Sequence, residues 1–375
     1  MNLIKLLGIE TKEDIISNLI VGAINKSEVF RKNFLENICG INYLEYTDIK
    51  AYTRIQTLNG VPDIVIKLKS NLQDILVIIE NKLKADEGYN QTKKYSSEKC
   101  ISDLVKNPKI NLKNKNIKTI FLYLTLIPKQ VPSGEVFKNI TYKDLISKVK
   151  VDIEDKFLDR LMKDFYSVVE EFYKNLDVDK NDRILDIINE NNDSAKLYIK
   201  FKKVLELYRS SNGLKIYSSG KVSAKGRESC FVKIYKENWV GDLAEQINGF
   251  YQVSEMTYNI HFEPSIGMNG IISIPLHYEI NPYMGQKRLK ENSKKEDYEK
   301  YILRRNEIKK IIHSEIRNLN GYDIKINGGC NQIAKIDFII DENMTVKEFI
   351  NKLTLYMDKL SYIVDKALLN VNNNR

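Results

Sequence analysis

The stretch VPDIVIKLKSNLQDILVIIENK, residues 61–82, constrains the fold more than any other part of the chain. PDIVIKL and DILVIIENK are two runs of β-branched and aliphatic residues, and KSNLQ between them is a turn. Pairing them as a hairpin centred between Asn71 and Leu72 sets Ile64 against Ile79 and Asp63 against Glu80. With side chains alternating, Lys82 shares the face of Glu80, while Ile64, Ile66, Leu68, Ile75, Val77 and Ile79 line the other. Strands this apolar belong to a sheet covered on both sides. An acid at the end of ILVIIE is then costly unless something compensates it. A hard divalent cation does so: Mg²⁺, with Mn²⁺ as a substitute, takes one or two carboxylates and keeps several waters. Such an ion polarises a phosphodiester and acidifies an attacking water, and Lys82 is placed to orient that water and offset charge on phosphorus.

The flanking sequence supplies a consistent order of elements. Thr11 and Asp14 have capping spacing ahead of EDIISNLIVGAI, which predicts a helix over about 12–25. SEVFRKNFLENI predicts a second, and residues 50–58 alternate as a strand. After Gly88 the spacing of Tyr95, Ile101 and Leu104 is helical, and KTIFLYLTLIP (118–128) is a buried strand stopped by Pro128. FKNITY and a helix from Tyr142 complete the unit near residue 150.

Pro62-Asp63, then Glu80-Asn81-Lys82, in the order helix, three strands, helix, strand, resembles the PD-(D/E)xK nuclease superfamily. The resemblance covers roughly residues 10–150. It implies an α/β, restriction-endonuclease-like core (αβββαβ, a mixed sheet flanked by helices). It also implies Mg²⁺-dependent hydrolysis with Asp63 and Glu80 as metal ligands and Lys82 as the catalytic lysine. Gln91 and Tyr95 have the QxxxY spacing of several bacterial branches, in which the glutamine positions substrate or water. The family often adds a first-helix glutamate to the metal shell: Glu13 is the candidate, with Glu36 in reserve. The plainer readings are a turn at Pro62-Asp63, a solvated strand end at Glu80–Lys82, ordinary helix surface at Gln91 and Tyr95, and a first-turn acid at Glu13 favoured by the helix dipole.

The remainder reads differently. Residues 155–176 carry Phe157, Leu161, Phe165, Val168, Val169 and Phe172 on one helical stripe, and 182–210 is again helical. Short strands follow over 213–285, then a charged helix over 287–317, two strand candidates and a last helix ending before a frayed NVNNNR. The expected division is 1–150 as the nuclease-like domain, 151–210 as a helical connector, and 211–375 as an α+β accessory domain that binds substrate or senses a signal. The chain has 59 Lys and Arg against 50 Asp and Glu, a net charge of +9, which admits a polyanionic partner. Nucleic acid is expected, DNA ahead of RNA. Arg304, Arg305, Lys309 and Lys310 on the charged helix are expected to track phosphates, a solvated face being the alternative.

Four cysteines and three histidines are scattered without paired spacing, so neither a zinc centre nor a disulfide framework is expected. Ser219-Gly220-Lys221 lacks the rest of a phosphate-binding loop, Gly267 and Gly270 read as a hairpin turn, and Trp239 reads as packing. There is no convincing signal peptide and no apolar run of the roughly 18 residues a membrane span needs, so the expected setting is cytoplasmic with no membrane partner. The expected function is a Mg²⁺-dependent nuclease hydrolysing DNA, placed by analogy in bacterial restriction or antiphage defence. The alternative is a nuclease-like module without catalysis that binds nucleic acid or protein, and homo-oligomerisation is left open.

Overall fold

The structure, a computed structural model, describes the chain except residues 84, 86, 89, 115, 129, 131, 190–193, 211, 225–226, 248–249, 268–271, 320–323, 327–330, 339 and 374–375. It divides into two compact units, Met1–Asn175 and Leu176–Arg375.

The first unit is α/β. Its elements are α1 (Leu3–Leu6), α2 (Glu13–Lys26), α3 (Glu28–Phe34), β1 (Asp48–Thr53), β2 (Ile64–Lys69), β3 (Asp74–Lys82), α4 (Gln91–Tyr95), α5 (Glu98–Lys106), β4 (Ile117–Thr125), β5 (Lys138–Thr141), α6 (Tyr142–Lys148) and α7 (Lys156–Tyr173). The five strands form one mixed sheet in the order β1-β2-β3-β4-β5. β1, β2 and β3 are antiparallel neighbours, β2 and β3 joined by a short turn and β1 and β2 by the longer segment 54–63, whereas β4 and β5 run parallel to β3. A parallel neighbour needs a crossover, and α4 and α5 supply it between β3 and β4.

β3 is central, and all nine of its residues are buried. On one face Val65, Leu76, Ile78 and Tyr123 pack with Tyr95, Cys100 and Leu104 from the crossover. On the other, Ile64, Ile66, Leu68, Val77 and Ile79 are buried, and α2 packs against β1 and β3. Both faces of this hairpin are therefore dry, which is why its sequence is apolar at consecutive positions.

Two local expectations are corrected. Thr11 does not cap α2: the N-cap is Lys12, without a side-chain cap. The first strand is Asp48–Thr53 and not 50–58, because at Arg54 the chain turns away with φ +52° while the Arg54 N–H donates to the Asp63 carbonyl at 3.1 Å.

The second unit comprises α8 (Ile184–Asn189), α9 (Ser194–Glu206), β6 (Lys215–Ala224), β7 (Arg227–Tyr235), β8 (Glu245–Ile247), β9 (Phe250–Gln252), β10 (Tyr258–Phe262), β11 (Ser265–Gly267), β12 (Ile272–Ile280), α10 (Gln286–Glu291), α11 (Lys295–Arg317), β13 (Lys325–Ile326), β14 (Gln332–Phe338) and α12 (Val346–Asn373). Seven of its described strands make an antiparallel sheet, with β8 and β9 a separate ribbon. β10 and β11 lie end to end between β7 and β12, interrupted at Glu263-Pro264. Trp239 is fully buried and donates its indole N–H to Asp365 at 2.8 Å, so it is a packing residue. Ser219-Gly220-Lys221 lies within β6, not in a phosphate loop. α12 runs on to Asn373, through most of the tail expected to fray. Gly270 lies outside the described residues. Among those described, Cys39 and Cys100 are free thiols, and no helix is long and apolar enough to cross a membrane.

The division falls at Asn175, not at residue 150, because α7 packs on α1, α2 and α6. That helix buries Leu161, Met162, Phe165, Val169 and Phe172. Each such side chain contributes about 1.5–3 kcal/mol of burial against a typical domain stability of about 5–15 kcal/mol. A fragment 1–175 is therefore expected to unfold cooperatively in urea followed by circular dichroism, and a fragment 1–150 to show no cooperative transition.

Candidate active site

The β2–β3 register places Ile64 opposite Ile79 and Val65 opposite Ile78, which brings Asp63, one residue before β2, opposite Glu80. The approach to Asp63 is held by Tyr95. Gly60 has φ +129°, and a Cβ built on it would lie 2.7 Å from Tyr95 Cε1. The Tyr95 hydroxyl donates to the Val61 carbonyl at 3.0 Å, and the Asn81 N–H donates to Asp63 Oδ2 at 2.8 Å. Glycine is required here twice over, by backbone angle and by the ring against it.

Glu80 is fully buried at 0% exposure. Its Oε1 lies 2.7 Å from Lys82 Nζ. Burial first, and then the neighbouring Asp63 charge, push the Glu80 carboxyl up to about 8. Burial also raises Asp63. For Lys82 burial works against the charge, but Glu80, Glu13 and Asp63 together outweigh it and hold the ammonium protonated well beyond neutral pH. Lys82 is thus a donor and not a base across the physiological range.

Of the two first-helix candidates, Glu13 reaches the cluster and Glu36 does not. Glu13 is the first residue of α2, and its Oε1 accepts from the Leu83 N–H at 2.9 Å while Oε2 lies 3.4 Å from Lys82 Nζ. Glu36 sits in the π-helical turn Leu35–Cys39 that continues α3, and none of the contacts above involve it. Glu13, Asp63 and Glu80 do not bring three carboxylate oxygens within 4.8 Å of one another, since the described residues meet that spacing only at His261, Glu263 and His277. Glu13 therefore stands on the lysine side of the cluster. Gln91 is one residue removed: its amide donates to the Tyr95 hydroxyl at 2.9 Å and its carbonyl accepts from the Gly88 N–H at 3.1 Å.

The middle residue of Glu80-Asn81-Lys82 has a role that its spacing does not reveal. Asn81 points to the opposite face, where its amide donates to Ser17 Oγ at 2.9 Å and to the Glu13 carbonyl at 3.3 Å, and its Oδ1 accepts from the Tyr142 hydroxyl at 2.6 Å. Asn81 is buried with each of these contacts made, so it fastens α2 and α6 to the end of β3. Ser17 and Tyr142 carry no motif that marks them.

The expected phosphate-tracking surface on α11 needs correction. Arg304 is 1% exposed and Arg305 7%, because they share a stripe with Tyr301, Ile308, Ile312 and Ile316. Arg304 Nη2 donates to Asn372 at 2.8 Å, and its guanidinium lies 5.3 Å from the Tyr258 ring centroid. Lys310 is exposed and Lys309 half-buried, so of the four side chains only Lys310 stands in solvent in the expected way.

Searches against protein-family models, curated proteins and solved structures find no match to this chain.

Two outcomes test this geometry. Gly60→Ala is expected to displace Tyr95 and the Asp63 approach, lowering the melting temperature, whereas Gly88→Ala, with φ unremarkable and only the end of Gln91 nearby, is expected to change little. In chelator-treated protein, Glu80 keeps its proton in the folded state up to about pH 8, while the unfolded chain releases it near 4.5. Stability from this group is fully present below about pH 4.5 and falls as pH rises through 8. Urea midpoints measured across that window should decline in the parent, and Glu80→Gln should flatten the decline.

Proposed function

We propose that the first unit is a Mg²⁺-dependent nuclease that hydrolyses phosphodiester bonds in DNA. The observation that carries this reading is the cluster at the end of β3: Glu80, at 0% exposure, faces Asp63 across the hairpin with Lys82 Nζ 2.7 Å from its Oε1. Buried acids are costly unless positive charge compensates them, and Lys82 supplies one positive charge among the carboxylates of Glu13, Asp63 and Glu80. The five-stranded mixed sheet and its element order support a restriction-endonuclease-like core.

Asp63 and Glu80 are the side chains that would hold Mg²⁺ or Mn²⁺. When bound there, the ion supplies Lewis acidity toward a phosphate oxygen and a more acidic water. The protein's own residues do the rest. Lys82, held between Glu80 and Glu13, donates a hydrogen bond to the attacking water or to a non-bridging phosphate oxygen, and its charge offsets that gathering on phosphorus. Tyr95 and Gly60 keep Asp63 in register with Glu80, and Asn81 keeps the strand end against α2 and α6. Gln91, one hydrogen bond from Tyr95, is placed to position substrate only at the edge of this cluster. A nuclease unit carrying a second unit of its own fits restriction or antiphage defence by analogy, the second unit selecting or sensing.

The experiment is cleavage of supercoiled plasmid and of single-stranded RNA by the full-length protein in Mg²⁺. Lys82→Ala should lower the rate by at least about a hundredfold, as loss of one transition-state donor does, while leaving the fold and Mg²⁺ binding intact. Asp63→Ala should abolish both cleavage and Mg²⁺ binding by calorimetry. A parent protein that binds nucleic acid without cleaving it would instead establish a non-catalytic module. A Lys82→Ala variant as fast as the parent would remove Lys82 from the mechanism.

A further inference from the structure

The second unit holds a cluster that its sequence does not announce. β10 and β12 are antiparallel, with His261 directly opposite His277 and Asn259 opposite Glu279. Alternation puts these four on one face, while Ile260, Phe262, Leu276, Tyr278 and Ile280 are buried on the other. Glu263 joins them at the break before Pro264, where the chain steps from β10 to β11. One donor atom from each of His261, Glu263 and His277 lies within 4.8 Å of the others. His261 is fully buried, and its Nε2 has no hydrogen-bond partner. That atom is 3.6 Å from Glu263 Oε2 and 3.6 Å from Glu279 Oε2.

We infer that His261, His277 and Glu263 form a binding site for a divalent transition-metal ion, with Zn²⁺ as the ion to test. The surroundings are those of a metal centre. His261 Nδ1 is 3.0 Å from Asn259 Oδ1, and His277 Nδ1 is 3.2 Å from Glu279 Oε1. Each ring thus has Nδ1 beside an acceptor, which favours a proton there and a lone pair on Nε2. Two imidazoles and one carboxylate suit zinc, iron, cobalt or nickel, not the all-oxygen shell of Mg²⁺. Three protein ligands leave a coordination position open to water or a small ligand. His277 and Glu263 are only half-buried, which gives the ion a way in.

Lys233 is the competing cation. Its Nζ lies 3.2 Å from Glu279 and 3.9 Å from Glu263, and 5.7 Å from the Tyr283 ring centroid. Its pairing with Glu279 is compatible with an ion at the other three side chains, whereas its approach to Glu263 opposes one. A cluster serving only as an ion-pair network would depend on Lys233 and be indifferent to zinc.

The test is Zn²⁺ titration of the chelator-stripped full-length protein against a chromogenic chelator, with excess Mg²⁺ present. The parent and an Asp63→Ala/Glu80→Ala variant should each bind one Zn²⁺ at this site, so the result does not depend on the first unit. His277→Ala and Glu263→Ala, chosen because neither residue is fully buried, should weaken binding by at least about a hundredfold, and Glu279→Gln by about tenfold. Lys233→Met should tighten it. Co²⁺ should give visible ligand-field bands in the parent that vanish in His277→Ala, with near-ultraviolet circular dichroism confirming that the variant is folded. A parent that binds no Zn²⁺ would overturn the inference. Folded His277→Ala and Glu263→Ala proteins that bind Zn²⁺ as the parent does would overturn it equally.

Discussion

A carboxylate at the end of a strand covered on both faces is the constraint around which the first unit is built. β3 is buried at every residue from Asp74 to Lys82, so nothing at its carboxyl end is solvated by default. Glu80 must be ionised against burial, kept protonated, or matched by positive charge, and the surrounding residues provide parts of each solution. Lys82 stands at 2.7 Å, and the neighbouring Asp63 charge opposes ionisation. Two acids facing each other in a dry strand end, with one ammonium between them and Glu13, tie the energetics of the strand to the proposed chemistry.

The rest of the unit holds that strand end still. Asn81 faces away from the acids and is clamped by Ser17, the Glu13 carbonyl and Tyr142, so α2 and α6 converge on the residue between Glu80 and Lys82. Tyr95 works from the crossover side, its ring against Gly60 and its hydroxyl on Val61. The two supports approach from opposite faces of the sheet. The alternation of a single strand therefore puts Glu80 and Lys82 on the face of Tyr95 and Asn81 on the face of α2 and α6.

The second unit shows how far charge counts mislead without placement. α11 is rich in charge of both signs, and Arg304 and Arg305 lie on its packed stripe, where their aliphatic stems and planar guanidinium groups contribute to the core. Conversely, three dispersed histidines suggested no metal site, and two of them face each other across adjacent strands. In both cases linear spacing does not report which side chains the fold brings together. Helical periodicity applied to the arginines, and strand alternation with cross-strand register applied to the histidines, are the signals that carried the information.

What the sequence determined by itself is what short-range periodicity controls. The hairpin register from Ile64 to Ile79, the convergence of Asp63 with Glu80, the placement of Lys82 on their face and the strand Asp74–Lys82 all follow from two-residue alternation across a short turn. The tertiary structure decided whatever joins distant segments. It chose Glu13 over Glu36, recruited Tyr142 and Ser17 to Asn81, carried α7 into the first unit, turned Arg304 and Arg305 inward, and set His261 against His277. Each of these depends on how separate helices and strands pack. Local patterning specifies which face of an element is apolar, but the partner that covers that face is selected by the geometry of the whole fold.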